Sequence, residues 1–184
     1  MNILYIHGLG GNKEGTSGQY IKAFFEQSGN HQVYLETFDL VSTESTIYQI
    51  KELLKIWRID CIMATSLGAF YALLFQESHR IILTNPCMLP SIEIPKLTPL
   101  TPETIQKFQE LENRLYSDEG NHCTRQIFAA FADGDELFSY RDFFLRHYPA
   151  CPVISFHGNH QLSKEALQKV LDESNKFVAQ ISIR

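Results

Sequence analysis

Short apolar runs of β type alternate along this chain with stretches of helical spacing. Residues 2–7, 32–38, 59–64, 80–84, 126–132 and 153–157 read as strands. Between them, Ile47, Ile50, Leu53, Leu54 and Trp57 recur at intervals of three and four, as do Leu167, Val170, Leu171, Phe177 and Val178. A strand followed by a helix and then another strand returns in the same direction, so this alternation predicts βα units and a parallel sheet. With 184 residues and 44% hydrophobic content, the chain is long enough to cover such a sheet as one domain.

The alternation is interrupted once. Between positions 85 and 125 no strand is evident, and the proline-bearing stretch "NPCMLPSIEIPKLTPLTPE" leads into Thr101-Pro102-Glu103. That triplet starts a helix, with an N-cap, a proline at the first helical position and an acid in the first turn. The helix is expected to run to about Tyr116. We read positions 86–124 as a helical insertion over one edge of the sheet. Met88, Leu89, Leu97, Leu100 and Phe108 there either contact a substrate or pack as an ordinary amphipathic cap, and packing is the simpler account.

Charge and cysteine usage narrow the function classes. Sixteen bases against twenty-one acids give −5, with neither sign gathered into blocks, so no footprint for nucleic acid or an anionic membrane is present. Cys61, Cys87, Cys123 and Cys151 lie 26, 36 and 28 positions apart, which fits neither metal-binding pairs nor a disulfide framework. They read as reduced thiols of a cytoplasmic protein that holds no metal. The N-terminal apolar stretch stops at His7, too short for an export signal. The longest apolar run, 69–75, falls far short of the ~20 residues that span a bilayer.

Two glycine-marked turns carry the chemistry. The first, "YIHGLGGNKEG", follows the opening strand. A dinucleotide fingerprint begun at Gly8 would need glycine at position 13, which is Lys13, and a phosphate loop spanning Gly10 to Gly15 would need lysine at position 16, which is Thr16. Neither cofactor is expected. The second, "CIMATSLGAFYALLF", is strand, sharp turn and helix around Ser66. It follows the G-x-S-x-G nucleophile elbow, with Ala64 in place of the first glycine and Gly68 as the second. A serine that merely caps the following helix has the same letters.

An elbow serine needs a base and an acid. His31, His79, His122 and His147 read as solvated surface residues. "PVISFHGNHQLS" places His157 at the end of the last strand, held by packing, and His160 in the loop beyond it, so His160 is the candidate base. "IFAAFADGDELFSY" supplies the acid, in the order Ser, Asp, His. Asp135 lies past the turn at Gly134, whereas Asp133 fits a turn residue that accepts local N–H groups.

The quoted segments, together with "TNPCMLP", occur in an order that resembles the α/β-hydrolase superfamily, and within it the small single-domain bacterial esterases of the YqiA kind. The resemblance implies a three-layer fold on a six-stranded parallel sheet of order 2-1-3-4-5-6, with the insertion after the fourth strand. It also implies Ser66, Asp135 and His160 as a catalytic triad without cofactor or metal. The backbone N–H groups of Leu9 and Leu67 are then expected to form an oxyanion hole. A small acyl ester or thioester is the implied substrate. A non-catalytic binding protein of the same fold and an amidase or peptidase are the alternatives. Relative to the family pattern, "GNHQLS" lacks an aromatic or apolar residue soon after the histidine.

Overall fold

The computed structural model describes residues 1–29, 31–117 and 126–181. His122, Cys123 and the end of the expected insertion lie outside them. Six strands, β1 (Asn2–Ile6), β2 (Gln32–Leu35), β3 (Cys61–Thr65), β4 (Arg80–Thr84), β5 (Ile127–Ala132) and β6 (Val153–Phe156), form one sheet of order β2-β1-β3-β4-β5-β6. Every neighbouring pair is parallel. The order and direction are those expected.

Strand side chains divide by parity. Leu4, Ile6, Ile62, Ala64, Ile81, Leu83, Ala129 and Phe131 face one core, and Ile3, Tyr5, Cys61, Met63, Ile82, Phe128 and Ala130 face the other. Nearly all are fully buried, because a sheet covered on both faces has no solvated side. α1 (Thr16–Ser28) and α7 (Lys164–Ile181) cover the second face through Ile21, Phe25, Val170 and Leu171. The first face is covered by α2 (Thr43–Ile56), α3 (Leu67–Leu73), α4 (Pro90–Leu97), α5 (Pro102–Tyr116) and α6 (Arg141–His147).

β1, β2 and β6 end one to three residues earlier than the sequence reading, β4 and β5 end as read, and β3 runs one residue further. β2 stops at Leu35 because the chain turns inward to bury Phe38, whose N–H donates to His7 Nε2 at 3.0 Å. α5 starts as read, with Thr101 Oγ1 accepting the Thr104 N–H at 3.3 Å. α4 is the element the prolines concealed. Pro90 sits in its first turn, and Pro95 is accommodated within only eight residues. Its N-terminal turn is held from outside, since Ser91 N–H and Oγ each donate to the buried Glu112 carboxylate at 2.7 Å. Burial pushes the Glu112 carboxyl above its ordinary value, and the two Ser91 hydrogen bonds oppose that rise. Of the apolar residues between β4 and β5, Met88 and Phe108 are fully buried in the core, whereas Leu97 is 45% exposed.

Candidate active site

All five segments singled out in the sequence leave the carboxyl ends of adjacent strands, where open parallel sheets collect their ligands. Order matters here. β1, β3, β4 and β5 are neighbours, with β6 beyond β5, so residues 7–11, 66, 85, 135 and 160 arrive at one rim.

Ser66 sits between β3 and α3 at φ 53° and ψ −127°, a region that costs a non-glycine residue about 1–3 kcal/mol. The turn is held by backbone bonds on both sides. Ser66 N–H donates to the Thr84 carbonyl, and its own carbonyl accepts from Ala69 and Cys87, each at 3.1 Å. A Cβ at Gly68 would lie 2.6 Å from the Ile6 carbonyl oxygen and closer still to that of His7, so helix and strand pass only if this residue is glycine. Ala64, on the strand side, is fully buried and fits. The side chain of Ser66 makes no cap bond to α3. It is directed elsewhere.

His160 Nε2 lies 3.0 Å from Ser66 Oγ. On the other side of the ring, Nδ1 lies 2.9 Å from Asp135 Oδ2 and 3.0 Å from Oδ1. Both side chains are sheltered, at 14% and 5% exposure. A carboxylate donates nothing, so Nδ1 carries the proton and Nε2 is left as an acceptor for the serine hydroxyl. Asp135 is itself fixed, because Oδ1 accepts the N–H groups of Leu137 and Phe138 at 2.9 Å each. The aromatic absent after the histidine comes from another loop. Phe138 meets the His160 ring edge-on, 4.7 Å between centroids at 89°.

Asn85, to which no role was assigned above, joins these loops. It is buried, holds φ 44°, and uses both ends of its amide. Nδ2 donates to the carbonyls of Asn159 and His160 at 3.2 and 3.1 Å, and Oδ1 accepts the Ala132 N–H at 2.7 Å. Glu136 adds a further tie, accepting the His160 N–H at 2.9 Å, which holds its carboxyl below the ordinary range. The only sequence signal for Asn85 was its place directly after β4 in "TNPCMLP".

On the facing loop, Leu9 and Gly8 border the same cavity as Ser66 and His160. Gly8 cannot carry a side chain, since a Cβ there would lie 2.9 Å from that of Ser66. Gly10 takes φ 71°, and the Gly11 N–H closes the turn on the Gly8 carbonyl at 3.0 Å. His7 braces this turn. Because Nε2 accepts from Phe38, Nδ1 holds the proton and donates to the Gly8 carbonyl at 2.7 Å. Burial lowers the His7 pKa. Leu67 opens α3, so its N–H has no partner within the helix.

Several single-residue expectations need correction. His157 is not held by packing: its side chain is 99% exposed and pairs at 3.3 Å with Asp133, away from Ser66. β6 ends one residue before it, which leaves it pointing outward. His147 is buried rather than solvated, between the rings of Tyr116 and Phe143. His31 and His79 are half-buried, each edge-on to a phenylalanine. Cys61 and Cys87 are buried free thiols, and Cys151 is buried as well. Burial raises the pKa of Cys61 to about 12 and that of Cys87 well above its ordinary value, so neither is a ready nucleophile. Among the described residues no helix is long and apolar enough to cross a membrane, and no cluster of His, Cys, Asp and Glu is arranged to hold a metal ion.

No protein-family model matches the sequence, and no curated protein matches it. Solved structures do. An α/β hydrolase enzyme from the metagenome of lagoon sediments at Mar Chica, Morocco, superposes with a TM-score of 0.72 at 16% identity, covering 97% of this chain and 90% of that one. Est1E from Butyrivibrio proteoclasticus gives 0.69 at 15%, over 97% and 88% of the two chains. An esterase from Pyrococcus furiosus gives 0.67 at 13%, over 97% and 81%. At such identities the likeness is one of architecture: sheet order, helix layers and end-to-end coverage establish that this chain has the α/β-hydrolase fold.

Proposed function

We propose that this protein is a serine hydrolase that cleaves a carboxylic ester or acyl thioester through an acyl-enzyme on Ser66. The observation that carries the reading is the continuous chain from Ser66 Oγ to His160 Nε2 at 3.0 Å and from His160 Nδ1 to Asp135 at 2.9 Å. Its members come from three loops 25 to 94 positions apart. A fold needs no such alignment for stability, and the elbow holds backbone strain to create it.

In the reaction, Ser66 Oγ attacks the acyl carbon while His160 Nε2 takes the hydroxyl proton. Asp135 keeps the imidazole in the Nδ1–H tautomer and stabilises the imidazolium. The carbonyl oxygen, now negative, is held by the N–H groups of Leu9 and Leu67, each worth roughly 2.7–4 kcal/mol in the transition state. Collapse breaks the bond to the leaving group, which departs with the proton from Nε2. Water then attacks the acyl-enzyme with His160 again as base, the acid is released, and Ser66 regains its proton.

The same reading places the protein with small single-domain esterases of the YqiA kind, with 86–124 as a cap-like insertion, working in the cytoplasm on a small molecule. Support for the ester class comes from the neighbours of this architecture that carry esterase names. Intact mass after treatment with a fluorophosphonate tests it directly. One adduct on the wild type and none on Ser66→Ala is the expected result; no adduct, or an adduct that survives the substitution, removes the hydrolase and leaves a binding protein. Parallel assay of matched ester and amide substrates separates esterase from amidase.

A further inference from the structure

Apolar side chains left in water are ordinary when scattered and informative when they meet at one place. Leu97 and Leu137 are 45% and 39% exposed, and both border the cavity of 520 Å³ that opens beside Ser66 and His160. Tyr48, Ile56 and Ile92 are exposed as well, but none of them borders it. Leu97 also differs from its neighbours in the insertion, since Met88, Ile94 and Phe108 are fully buried.

Both leucines stand on fastened backbone. α4, which ends in Leu97, is held at its first turn by Glu112 and again by Glu93, whose Oε1 accepts the Tyr140 hydroxyl at 2.8 Å. Tyr140 closes the loop that carries Leu137, and the start of that loop is fixed by the Leu137 N–H, which donates to Asp135 Oδ1 at 2.9 Å. The Glu93–Tyr140 bond thus ties the insertion to the acid loop. A backbone held in this way keeps the two side chains at the mouth of the cavity, where a ligand can cover apolar surface that the fold leaves in water.

Sheet order says which half of a substrate they meet. Leu97, Leu137 and the half-buried Leu162 follow β4, β5 and β6, strands that all lie on one side of β3, whereas the Gly8–Leu9 loop follows β1 on the other. His160 shares the side of the leucines. In the reaction above it is His160 that hands a proton to the departing alcohol, so the alcohol half of an ester lies along it. Charge narrows the alcohol further. Among the described residues bordering the cavity there is no lysine or arginine, and Glu136, which accepts the His160 N–H, is a carboxylate held in its ionised form by that bond. An anionic alcohol therefore finds a like charge there and no countercharge.

We propose that Leu97 and Leu137 are specificity-determining residues that grip an apolar, uncharged alcohol portion of the substrate. The preferred substrates are then esters whose apolar bulk lies in the alcohol rather than in the acyl chain. The inference rests on the hydrolase reading above and deepens it to a substrate class.

The test uses esters that differ in where carbon is added. Relative to methyl butyrate, hexyl butyrate is extended on the alcohol side and its isomer methyl nonanoate on the acyl side. In pH-stat assays below the solubility limit, kcat/KM for hexyl butyrate is expected to exceed that for methyl butyrate by about tenfold, the effect of burying about two of the added methylenes, and to exceed that for methyl nonanoate. Leu97→Ala and Leu137→Ala are each expected to lower the hexyl-to-methyl ratio by about two- to fourfold, through KM, and together to bring it close to one. Methyl butyrate turnover and melting temperature are expected to stay as in the wild type, because both side chains are exposed. Leu97→Met and Leu137→Met keep the apolar area and are expected to keep the ratio. The 6-butyryloxyhexanoate anion, which ends the same alcohol in a carboxylate, is expected to fall below hexyl butyrate by about tenfold or more. The absence of a hexyl advantage, a ratio that neither alanine variant moves, methyl nonanoate in the lead, or the carboxylate ester matching hexyl butyrate overturns the proposal. Fluorophosphonate labelling of Ser66 distinguishes the two failures: labelled protein without the preference loses the substrate class alone, and unlabelled protein loses the hydrolase reading with it.

Discussion

Asn85 donates from Nδ2 to the main-chain carbonyl of His160 at 3.1 Å, so the loop bearing the imidazole is tied to the end of a strand two positions away in the sheet. The same side chain accepts from Ala132, three residues before Asp135. One buried amide thus ties the loop that carries Asp135 to the loop that carries His160.

Replacing that amide is expected to cost both stability and turnover. Asn85→Ala leaves the Ala132 N–H and two carbonyls without their partner and places alanine at φ 44°, a destabilisation of about 2–3 kcal/mol. Asn85→Gly relieves the backbone while losing the same bonds. In urea unfolding monitored by circular dichroism, the difference between the two variants reports the backbone share. In both, kcat is expected to fall by more than KM rises, because the geometry of the base, rather than a substrate contact, is disturbed.

Ser66→Ala is expected to lower kcat for p-nitrophenyl butyrate by about 10⁴-fold or more, since elements of a triad act as a unit. Ser66→Gly separates chemistry from strain. It is equally inactive, yet releases the φ 53° conformation, and its melting temperature is expected to exceed that of Ser66→Ala by a few degrees. Differential scanning calorimetry on the two variants measures this.

Asp135→Asn replaces an acceptor by a side chain that presents an N–H as readily as an oxygen. The imidazole then loses its reason to carry the proton on Nδ1, and kcat is expected to drop by about 10⁴-fold with KM little changed. The pH–rate profile of the residual activity should be shifted relative to wild type, an effect that loss of folding alone does not produce.

At Gly68 the elbow tolerates no side chain. Gly68→Ala pushes a methyl group against the Ile6 and His7 carbonyls, and the elbow must open or the sheet edge must move. A loss of about 2 kcal/mol or more is expected, together with loss of fluorophosphonate labelling. Gly10→Ala has open space around its Cβ and meets only the positive φ, so its cost is expected to be near 1 kcal/mol.

His7 makes stability depend on pH. Burial holds its pKa below the ordinary 6.5, so the unfolded chain binds a proton that the folded chain refuses. The stability this contributes is fully present above pH 6.5 and is lost as pH falls toward the folded value. His31 and His79 shift in the same direction, again through burial. Urea midpoints between pH 8 and pH 5 are expected to decline below 6.5, and to decline less steeply in His7→Asn, whose amide reproduces the donor to the Gly8 carbonyl without titrating.

Sequence alone determined the layer architecture, because short continuous apolar runs alternating with stretches of helical spacing point to a parallel sheet covered on both faces. It also determined the elbow, because the letters around Ser66 report a local backbone requirement that neighbouring residues share. The order of serine, acid and histidine narrowed the remaining candidates to residues on three loops. What tertiary structure decided is everything that depends on distant partners. α4 forms despite Pro95 because Glu112, on another helix, holds its first turn. His147 is buried and His157 exposed because rings from α5 and α6 enclose one while the other leaves the sheet edge. Phe138 supplies the packing that the sequence after His160 lacks, and Asn85 links loops 47 and 75 positions away. Local pattern is written in adjacent letters, whereas a side chain's partner across the fold is chosen by which strand ends the sheet places together.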